Sequence, residues 1–388
     1  MSGKRIRVAN VIEEGRLGGP QVRIAEVAAR LHHLGVETTV IYPRRESAAF
    51  AARLAARGVR ALARPLHRLT RQRLPLLLFV LLFPFELIGL WLHFRRADYD
   101  LVHASGGCWQ FKAPIAARLA GVPVLWHLND TGTPWALRLL FKFLARRCPS
   151  GLIVAAERVR HYYVADLGVT ELPVYEIQAP VDCARFKQVQ VTPDEFIASE
   201  HGLAVIMVCS VNPDKGIDHL IRAAALVEET RSDIHFHVVG PIHASQSAYK
   251  FMLDELMSKL NVTNVTFHGA TEDVRPALEA ADIYVCSSLR EASPLSVWEA
   301  MSMARPIVST DVGDVARFLT HNESGLIVPP ADPQALAQGI LVLAEDSALR
   351  ERFGKAAREA IKDKLDVEII AKRHADVYRD ILQRLRTP

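Results

Sequence analysis

The sequence predicts an α/β protein with two domains, each built around a parallel, doubly wound sheet. Three observations lead to this prediction. Short apolar strands alternate with helical patterns along nearly all 388 residues, and such alternation is typical of parallel sheets. The alternation breaks once, at a polar stretch near the middle of the chain, and then resumes. The length is sufficient for two cores of ordinary size, and 50% of the residues are hydrophobic.

The first half begins with a strand and a helix joined by a glycine-containing loop. The strand is Arg5–Ile12 and the helix is Pro20–Leu34, with proline where its missing N–H costs no hydrogen bond. Gly18 and Gly19 precede the helix, and glycines there let backbone amides approach a phosphate or a sugar. The next predicted strands are Glu37–Tyr42, Leu101–Ala104 and Val122–His127.

The second half repeats this organisation. Its helical patterns include His219–Glu229, Ser247–Leu260 and Val297–Met303. Its predicted strands are Ala204–Cys209, Ile234–Val239, Val265–His268, Ile283–Cys286 and Pro306–Ser309. Pro180, Pro193 and a polar run separate the halves, which indicates a domain boundary. We therefore predict domains at 1–180 and 203–366, a linker at 181–202, and a C-terminal helix within 367–388, for which a return to the first domain is one option.

Charge is divided unevenly along the chain. Residues 1–180 carry 25 Lys and Arg against 13 Asp and Glu, whereas residues 181–388 carry 22 against 30. Eleven arginines lie between Arg44 and Arg96, which predicts an anionic partner for the first domain. Because no nucleic-acid-binding motif accompanies this charge, we expect no nucleic acid partner. The region is also apolar, which favours an anionic membrane surface.

An apolar run at residues 74–94 is long enough to cross a bilayer as a straight helix. Pro84 and Glu86 near its middle disfavour a span. A span would also put the first strand on the opposite side of the membrane from later strands of its sheet. The alternatives are a buried core helix and a helix lying in the membrane interface. Flanking arginines favour the interfacial alternative.

Residues 135–147 are a second candidate for membrane contact. Arg138, Lys142 and Arg146 repeat on one stripe, with leucine and phenylalanine elsewhere. An ordinary amphipathic surface helix explains the same pattern. We predict that regions 44–96 and 135–147 contact an anionic membrane surface.

The cysteines and the N-terminus predict a cytoplasmic location. The five cysteines form no closely spaced pair, which is typical of reduced thiols. The first residues lack the features of a secretory signal. Together with the membrane contact, this predicts a peripheral protein on the inner face of the cell membrane.

The most specific pattern surrounds two glutamates, Glu291 and Glu299, which stand eight positions apart. Ser293 is predicted to cap a helix that Pro294 begins, and the amides at such a helix start bind a diphosphate. Glu299 would then accept hydrogen bonds from a ribose, and Glu291 would lie beside the sugar. For the spacing alone, two surface glutamates are the simpler interpretation.

The whole run resembles the signature of family 4 of the retaining glycosyltransferases that have two Rossmann-like domains, the GT-B fold. The matching residues are Glu291, Pro294, Leu295, Glu299, Ala300, Met301, Pro306, Thr310, Asp311 and Gly313. The loop Asn212–Gly216 is similar to the Lys-Gly loop that binds donor phosphate in that family. Gly18-Gly19-Pro20 resembles its N-terminal glycine loop, and Trp126–Asp130 resembles its histidine motif.

This resemblance implies a role for each candidate residue. Lys215 would neutralise charge on the departing nucleoside diphosphate, and His127 would contact the donor sugar. The implied catalytic residues are Glu291, His127 and Lys215, and the implied donor-binding residues are Glu299, Ser293, Pro294, Leu295, Ser210, Gly18, Gly19 and Arg290. We expect no metal and no cofactor, since Lys215 and the helix start supply positive potential. Asp98-Tyr99-Asp100 has the spacing of a metal motif but lies far from the phosphate loop, and we interpret it as coincidence.

Two features depart from the family pattern. Cys209-Ser210 stands where the family has Gly-Arg, so the usual phosphate-binding arginine is missing. Either backbone amides assist Lys215, or Arg290 substitutes. Ala292 and Ala304 replace glycines, which changes how closely the backbone approaches the donor.

The resemblance predicts a retaining, metal-independent transferase that moves a sugar from a nucleotide sugar to a lipid-linked or glycan acceptor, in envelope polysaccharide or glycolipid synthesis. It implies that the first domain binds the acceptor and the second the nucleotide sugar. One alternative is a catalytically degenerate sensor or scaffold, motivated by Ser210. Another is an epimerase or a sugar-phosphate synthase on the same fold.

Overall fold

The computed structural model describes residues 5–70, 72–187, 192 and 202–386. The chain divides into two compact units, one formed by Met1–Pro180 with Val367–Pro388 and the other by Val181–Asp366. Each unit contains one sheet of parallel strands with helices around it, so the predicted fold class is confirmed. Most of the predicted linker at 181–202 lies outside the described residues.

The first unit contains a seven-stranded sheet. In chain order its strands are β1 (Ile6–Ile12), β2 (Val36–Pro43), β3 (Arg60–Arg64), β4 (Leu101–Ser105), β5 (Val124–Leu128), β6 (Gly151–Val154) and β7 (Val174–Glu176). Across the sheet the order is β3-β2-β1-β4-β5-β6-β7, and the pairings are parallel. The order reverses between β1 and β4. In such sheets, ligands bind beyond the carboxyl ends of the strands near the reversal.

The second unit contains a six-stranded parallel sheet. Its strands are β8 (Leu203–Val208), β9 (Ile234–Val239), β10 (Val265–Gly269), β11 (Ile283–Cys286), β12 (Ile307–Thr310) and β13 (Leu326–Val328). The order is β10-β9-β8-β11-β12-β13, with its reversal between β8 and β11. The carboxyl ends of these two neighbouring strands carry the loops that contain Lys215 and Glu291.

Helices connect the strands in both units. Those of the first unit are α1 (Gly19–Leu31), α2 (Ala48–Ala56), α3 (Arg73–Arg96), α4 (Lys112–Ala120), α5 (Trp135–Ala145) and α6 (Glu157–Arg160). Those of the second are α7 (Ile217–Glu228), α8 (Ser247–Leu260), α9 (Arg275–Ala280), α10 (Leu295–Ser302), α11 (Val315–Phe318), α12 (Pro333–Glu345) and α13 (Ser347–Lys362). The last helix, α14 (Val367–Arg384), packs in the first unit.

Each unit has its own hydrophobic core. In the first, Val8 and Leu101 of the sheet pack with Ile370 and Tyr378 of α14, so the C-terminal helix completes this core. In the second, the inward side chains of β8, β9 and β11 pack against α7 and α12. Burial of such side chains stabilises each unit by roughly 1.5–3 kcal/mol per large residue.

Four short strands, β3, β6, β7 and β13, were missing from the sequence prediction. Each contains three to five residues, which is too few to show a clear period. The predicted helix Pro20–Leu34 also ends earlier. It changes to a 3₁₀ turn at His32 and stops at Gly35 in a left-handed conformation with φ 79°.

Helix α3 contains the apolar run and is largely exposed. In the described part of the chain it is the one helix that is long and apolar enough to cross a membrane, and 17% of its most apolar window is buried. Leu77, Leu81 and Phe85 are 53%, 59% and 72% exposed. The interpretation of this segment as a buried core helix is therefore wrong, because its apolar side chains do not pack inside the unit.

A buried ionic cluster attaches α3 to the rest of the first unit. Glu86, on the inner side of α3, accepts a hydrogen bond from Lys112 Nζ at 2.6 Å. Glu13, at the carboxyl end of β1, lies 3.2 Å from the same nitrogen, and His67 contacts Glu86 through its ring. Burial raises the pKa of Glu13 despite the adjacent Lys112. The glutamate that disfavoured a membrane span thus faces the protein.

Several arginines of the basic region 44–96 are paired within the first unit. Arg53 and Arg57 both contact Glu26, at 2.7 and 2.9 Å. Arg64 donates to the ring of His93 at 3.1 Å. The exposed arginines of α3 lie at its two ends and are Arg73, Arg95 and Arg96. The positive charge that this region offers to an external anion is therefore smaller than its number of arginines indicates.

Candidate functional site in the second unit

A short loop at the carboxyl end of β8 carries Lys215. Asn212 caps the 3₁₀ turn Pro213–Lys215, because its side-chain oxygen accepts a backbone N–H at 3.1 Å. Gly216 then adopts a left-handed conformation with φ 59°. A Cβ at Gly216 would lie 2.2 Å from the carbonyl oxygen of Ser287. The loop therefore needs glycine here, and it lies directly against the loop that follows β11.

The loop after β11 carries Glu291, and the two loops meet through a charged pair. Lys215 Nζ donates to Glu291 Oε1 at 2.5 Å, and the hydroxyl of Ser288 donates to the same oxygen at 3.0 Å. The two charged side chains are 24% and 15% exposed. Burial opposes protonation of Lys215, but the adjacent Glu291 carboxylate outweighs it and raises the lysine pKa above its ordinary value. Two of the three predicted catalytic residues thus form one partly buried ion pair.

Helix α10 follows this pair, and its start differs from the prediction. Pro294 occupies the cap position and Leu295 is the first helical residue. The prediction that Ser293 caps the helix is wrong, because the Ser293 hydroxyl accepts a hydrogen bond from the indole of buried Trp298 at 3.0 Å. The first amides of any helix lack partners within the helix. Glu299 lies further along α10 and is partly buried.

Ser210, which stands in place of the family's arginine, and Arg290, the predicted substitute, lie on the two loops that carry the ion pair. Ser210 follows β8, and its hydroxyl accepts a hydrogen bond from Asn212 Nδ2 at 3.1 Å. The guanidinium of Arg290 contacts Asp214 Oδ1 through both Nε, at 3.0 Å, and Nη2, at 2.5 Å. Arg290 and Asp214 are both more than half exposed. Arg290 therefore joins the two loops, and Asp214 balances its charge.

The glycine loop of the first unit lies between β1 and α1, as predicted. It follows a strand of the first sheet, whereas Lys215 and Glu291 follow strands of the second sheet. Gly18 is extended and caps α1, and Gly19 is the first helical residue. Both are exposed. The side chain of Gln21 donates to the carbonyl oxygen of Glu14 at 2.9 Å, across the loop. The loop lies at the carboxyl end of β1, beside the reversal of strand order.

His127, the third predicted catalytic residue, lies in the interior of the first unit. It is 0% exposed, and its ring accepts from Arg23 Nη1 and lies 3.1 Å from a nitrogen of His103. His374 of α14 stacks on the same layer. Burial, with Arg23 and His103 nearby, holds the pKa of His127 well below its ordinary value. As placed, His127 has no surface for a sugar, so its donor contact stays a prediction that this arrangement does not support.

Sequence reasoning missed several residues that build the ion pair's surroundings. Ser288 contacts Glu291, and Asp214 contacts Arg290. The hydroxyl of Thr310 donates to the carbonyl oxygen of Ser288 at 2.7 Å. Gly313 has φ 54°, and a Cβ there would lie 2.2 Å from a carbonyl oxygen of the loop. Thr310 and Gly313 were noticed only as signature matches, because a backbone contact leaves no pattern in one sequence.

The described residues contain no group of three or more His, Cys, Asp or Glu side chains arranged to hold a metal ion. Asp98 and Asp100, which have the spacing of a metal motif, both contact Arg7. Asp98 pairs with its guanidinium at 2.8 Å, and Asp100 accepts its backbone N–H at 2.8 Å.

Comparison with protein families identifies the chain. Residues 193–360 match the model of glycosyl transferases group 1, and residues 17–185 match the model of Glycosyltransferase Family 4. The chain belongs to the glycosyltransferases that these two models describe. The first match contains the whole Lys215–Glu291 pair and α10, and the second contains the glycine loop and β5 of this glycosyltransferase.

Named relatives act on several acceptors. D-inositol 3-phosphate glycosyltransferase of Streptomyces avermitilis is 25% identical over 96% of this chain and 85% of its own. The UDP-Gal:alpha-D-GlcNAc-diphosphoundecaprenol alpha-1,3-galactosyltransferase of Escherichia coli is 23% identical over 76% of this chain and 79% of its own. A poly(ribitol-phosphate) alpha-N-acetylglucosaminyltransferase of Staphylococcus aureus is 29% identical over 43% of this chain. That match covers only 33% of the length of the Staphylococcus aureus protein.

Solved structures share the fold of this glycosyltransferase. An Anabaena protein in complex with UDP and glucose has a TM-score of 0.81 and 19% sequence identity. The match covers 97% of this chain and 100% of the Anabaena chain. At this identity the likeness establishes the fold, and it agrees with the two parallel sheets described above.

Proposed function

We propose that this glycosyltransferase moves a sugar from a nucleotide sugar, held by the second unit, to an acceptor at a membrane surface, held by the first. The transfer retains the anomeric configuration and needs no metal. The observation that carries the proposal is the Lys215–Glu291 ion pair at the carboxyl ends of β8 and β11, beside the start of α10.

Lys215 and α10 supply the positive potential that a diphosphate requires. A cationic side chain and the unpaired amides of a helix start both stabilise negative charge. Lys215 is the cation that would meet the departing diphosphate, while Glu291, itself held by the Ser288 hydroxyl, fixes its direction. Glu299 would accept hydrogen bonds from the ribose. Arg290 is paired with Asp214 at an exposed position, where solvent screens its charge more than that of the partly buried Lys215.

Retention and metal independence rest on the family resemblance and on this charge distribution. The departing phosphate oxygen accepts the proton of the acceptor hydroxyl, while that hydroxyl oxygen forms the new bond on the same face of the sugar. Such a step needs no protein base. A proton NMR spectrum of the fresh product tests it, since the anomeric coupling constant distinguishes retention from inversion.

The acceptor is proposed to be lipid-linked or a glycan presented at a membrane. The exposed apolar side chains of α3, with arginines at both helix ends, are typical of a helix in the membrane interface. Helix α5 also exposes large apolar side chains, since Trp135 and Phe143 are 75% and 53% exposed. The Escherichia coli relative, whose name gives a diphosphoundecaprenol acceptor, supports the same class. All five cysteines are free thiols, which agrees with action at the inner face of the cell membrane.

Nucleotide release tests this function directly. The protein is incubated with UDP-, GDP- and ADP-sugars and a membrane lipid extract, with and without EDTA. We expect release from one donor class, dependent on the extract and unaffected by EDTA. Binding of a donor without release from any extract would support the sensor or scaffold instead. Release that needs no extract would favour an epimerase or a synthase.

A further inference from the structure

The carboxyl end of β5 carries two polar residues, Asn129 and Asp130, that the proposed mechanism does not use. His127 is buried, whereas Asn129 and Asp130 follow the last residue of the strand and are partly exposed. Beyond the carboxyl end is where parallel sheets bind ligands.

Asp130 is held in a fixed orientation by hydroxyl groups. The hydroxyls of Thr133 and Tyr163 lie 2.8 and 2.9 Å from its Oδ1 atom and donate to it. Tyr163 is fully buried, and burial together with the Asp130 charge raises its pKa, which keeps its hydroxyl a donor. Tyr162 donates to the carbonyl oxygen of Thr133 at 2.8 Å and fixes the loop. A carboxylate positioned this way is suited to binding rather than to solvation.

The main chain of the loop after β4 approaches both polar side chains closely. Gly107 has φ 77°, and a Cβ there would lie 2.3 Å from Asp130 Oδ2 and 3.0 Å from Asn129 Oδ1. The indole of buried Trp126 donates to the Gly107 carbonyl oxygen at 3.0 Å and holds this segment. Glycine at this position therefore lets an amide and a carboxylate lie side by side at the edge of the sheet.

The chemistry of this pair favours a neutral, hydroxyl-rich ligand. Each sugar hydroxyl both donates and accepts hydrogen bonds, an amide does both, and a carboxylate can accept about four. A nucleoside diphosphate is anionic, so Asp130 would repel it. The loop that carries the pair continues into Trp135, the exposed first residue of α5, where a membrane-held headgroup would be presented.

We propose that Asn129 and Asp130 bind hydroxyl groups of the acceptor sugar. This inference rests on the proposed transferase function. It assigns an acceptor contact to the two residues that follow β5, whereas the resemblance implied a donor-sugar contact for His127. Hydrogen bonds from acceptor hydroxyls to Asp130 and Asn129 orient the acceptor, while the donor site lies on the other unit and is independent of them.

The test separates acceptor affinity from donor affinity. Vesicles of total membrane lipid extract are titrated at saturating donor, and the donor is titrated at saturating vesicles, for the wild type, Asn129→Ala and Asp130→Asn. Asp98→Asn is the matched control, since Asp98 is 74% exposed and precedes the amino end of β4, away from the carboxyl end of β5. We expect the half-saturating vesicle concentration to rise about tenfold or more in both variants. The donor KM and the control should stay within about twofold.

Three other results would contradict the proposal or the function on which it rests. If the wild type transfers sugar and both variants keep its vesicle dependence, the acceptor site is elsewhere. If Asp130→Asn weakens donor and vesicles equally and lowers the thermal unfolding temperature, Asp130 is structural, and Asn129→Ala then decides alone. If the wild type transfers nothing to any extract, the proposed function itself has failed.

Discussion

Lys215 and Glu291 are 76 positions apart in sequence, yet Lys215 Nζ lies 2.5 Å from Glu291 Oε1. They meet because β8 and β11 are neighbours in the second sheet, where the order of strands reverses. Parallel strands end at the same edge, so the loops that follow them come together. The pair places one positive and one negative charge beside the start of α10.

The losses from removing Lys215 and from neutralising Glu291 should not be additive, because the two side chains form one ion pair. In Lys215→Ala, the Glu291 carboxylate is left unpaired and repels a diphosphate, so we expect kcat/KM to fall at least about 100-fold. The double variant Lys215→Ala/Glu291→Gln should lose less than the product of the two single effects. Steady-state kinetics of all three variants measure this. Lys355→Ala, which removes an exposed lysine paired with Glu351, should change nothing, and additive losses would contradict the coupling.

The conformation of the lysine loop should depend on Gly216. Gly216→Ala places a Cβ 2.2 Å from the Ser287 carbonyl oxygen in a left-handed conformation, so the loop must move. We expect the donor KM to rise about tenfold or more. Gly269→Ala is the matched control, because Gly269 has φ 75° but nothing lies within 4 Å of its Cβ position. Equal effects of both substitutions would attribute the loss to backbone strain instead of the clash.

Lys112 should be essential for the stability of the first unit. It is 0% exposed between Glu13 and Glu86, and Lys112→Met leaves two buried carboxylates without their cation. Breaking a buried pair in this way costs about 3–5 kcal/mol. Urea unfolding followed by tryptophan fluorescence reports mainly on this unit, since four of the five tryptophans lie in it. Lys142→Met, on a partly exposed helix face, should cost under about 1 kcal/mol, and similar losses would refute the role of the cluster.

Acid should destabilise the first unit through its buried histidines. Burial lowers the pKa of His374 to about 4, from an ordinary 6.5. Between these values the unfolded chain binds a proton that the folded chain does not, so stability is lost as pH falls from about 6.5 to about 4. This histidine alone accounts for about 3 kcal/mol. In His374→Phe the urea midpoint should depend less on pH, whereas His161→Phe, at an exposed position, should not alter the dependence.

Membrane binding should depend on the exposed side of α3. Leu77→Glu/Leu81→Glu places two charges on positions that are 53% and 59% exposed, so binding to anionic vesicles should weaken about tenfold or more without a change in thermal unfolding. Sedimentation with vesicles measures this at two salt concentrations. Val342→Glu, 41% exposed on the second unit, is the control. Unchanged sedimentation of the double variant would exclude α3 as the membrane contact.

Much of the fold could be predicted because regular elements carry their own period. Strands β9 and β11 and helix α8 have the predicted bounds, since each combines a clear apolar pattern with turn residues at its ends. The meeting of the two loops of the second-unit site was predictable from the order of the strands. The residues of this site follow strands, and strand order in a doubly wound sheet brings such loops together.

The remaining features depend on contacts between distant segments. The resemblance implied that His127 contacts the donor sugar, but α14 returns and stacks His374 against its ring. Glu86 looked like an interruption of an apolar helix, but Lys112 pairs with it. Neither partner is near in sequence, so composition and spacing could not reveal the burial of His127 or the pairing of Glu86.

The central claim is tested most directly by following a labelled sugar. The wild type and Lys215→Ala are incubated with the radiolabelled nucleotide sugar that gives nucleotide release and with vesicles of membrane lipid extract, and the organic phase is then counted. We predict that the wild type moves label into the lipid phase in proportion to nucleotide released, and that Lys215→Ala does so at least about 100-fold more slowly. Label that appears only as free sugar, or equal transfer by both proteins, would contradict the account.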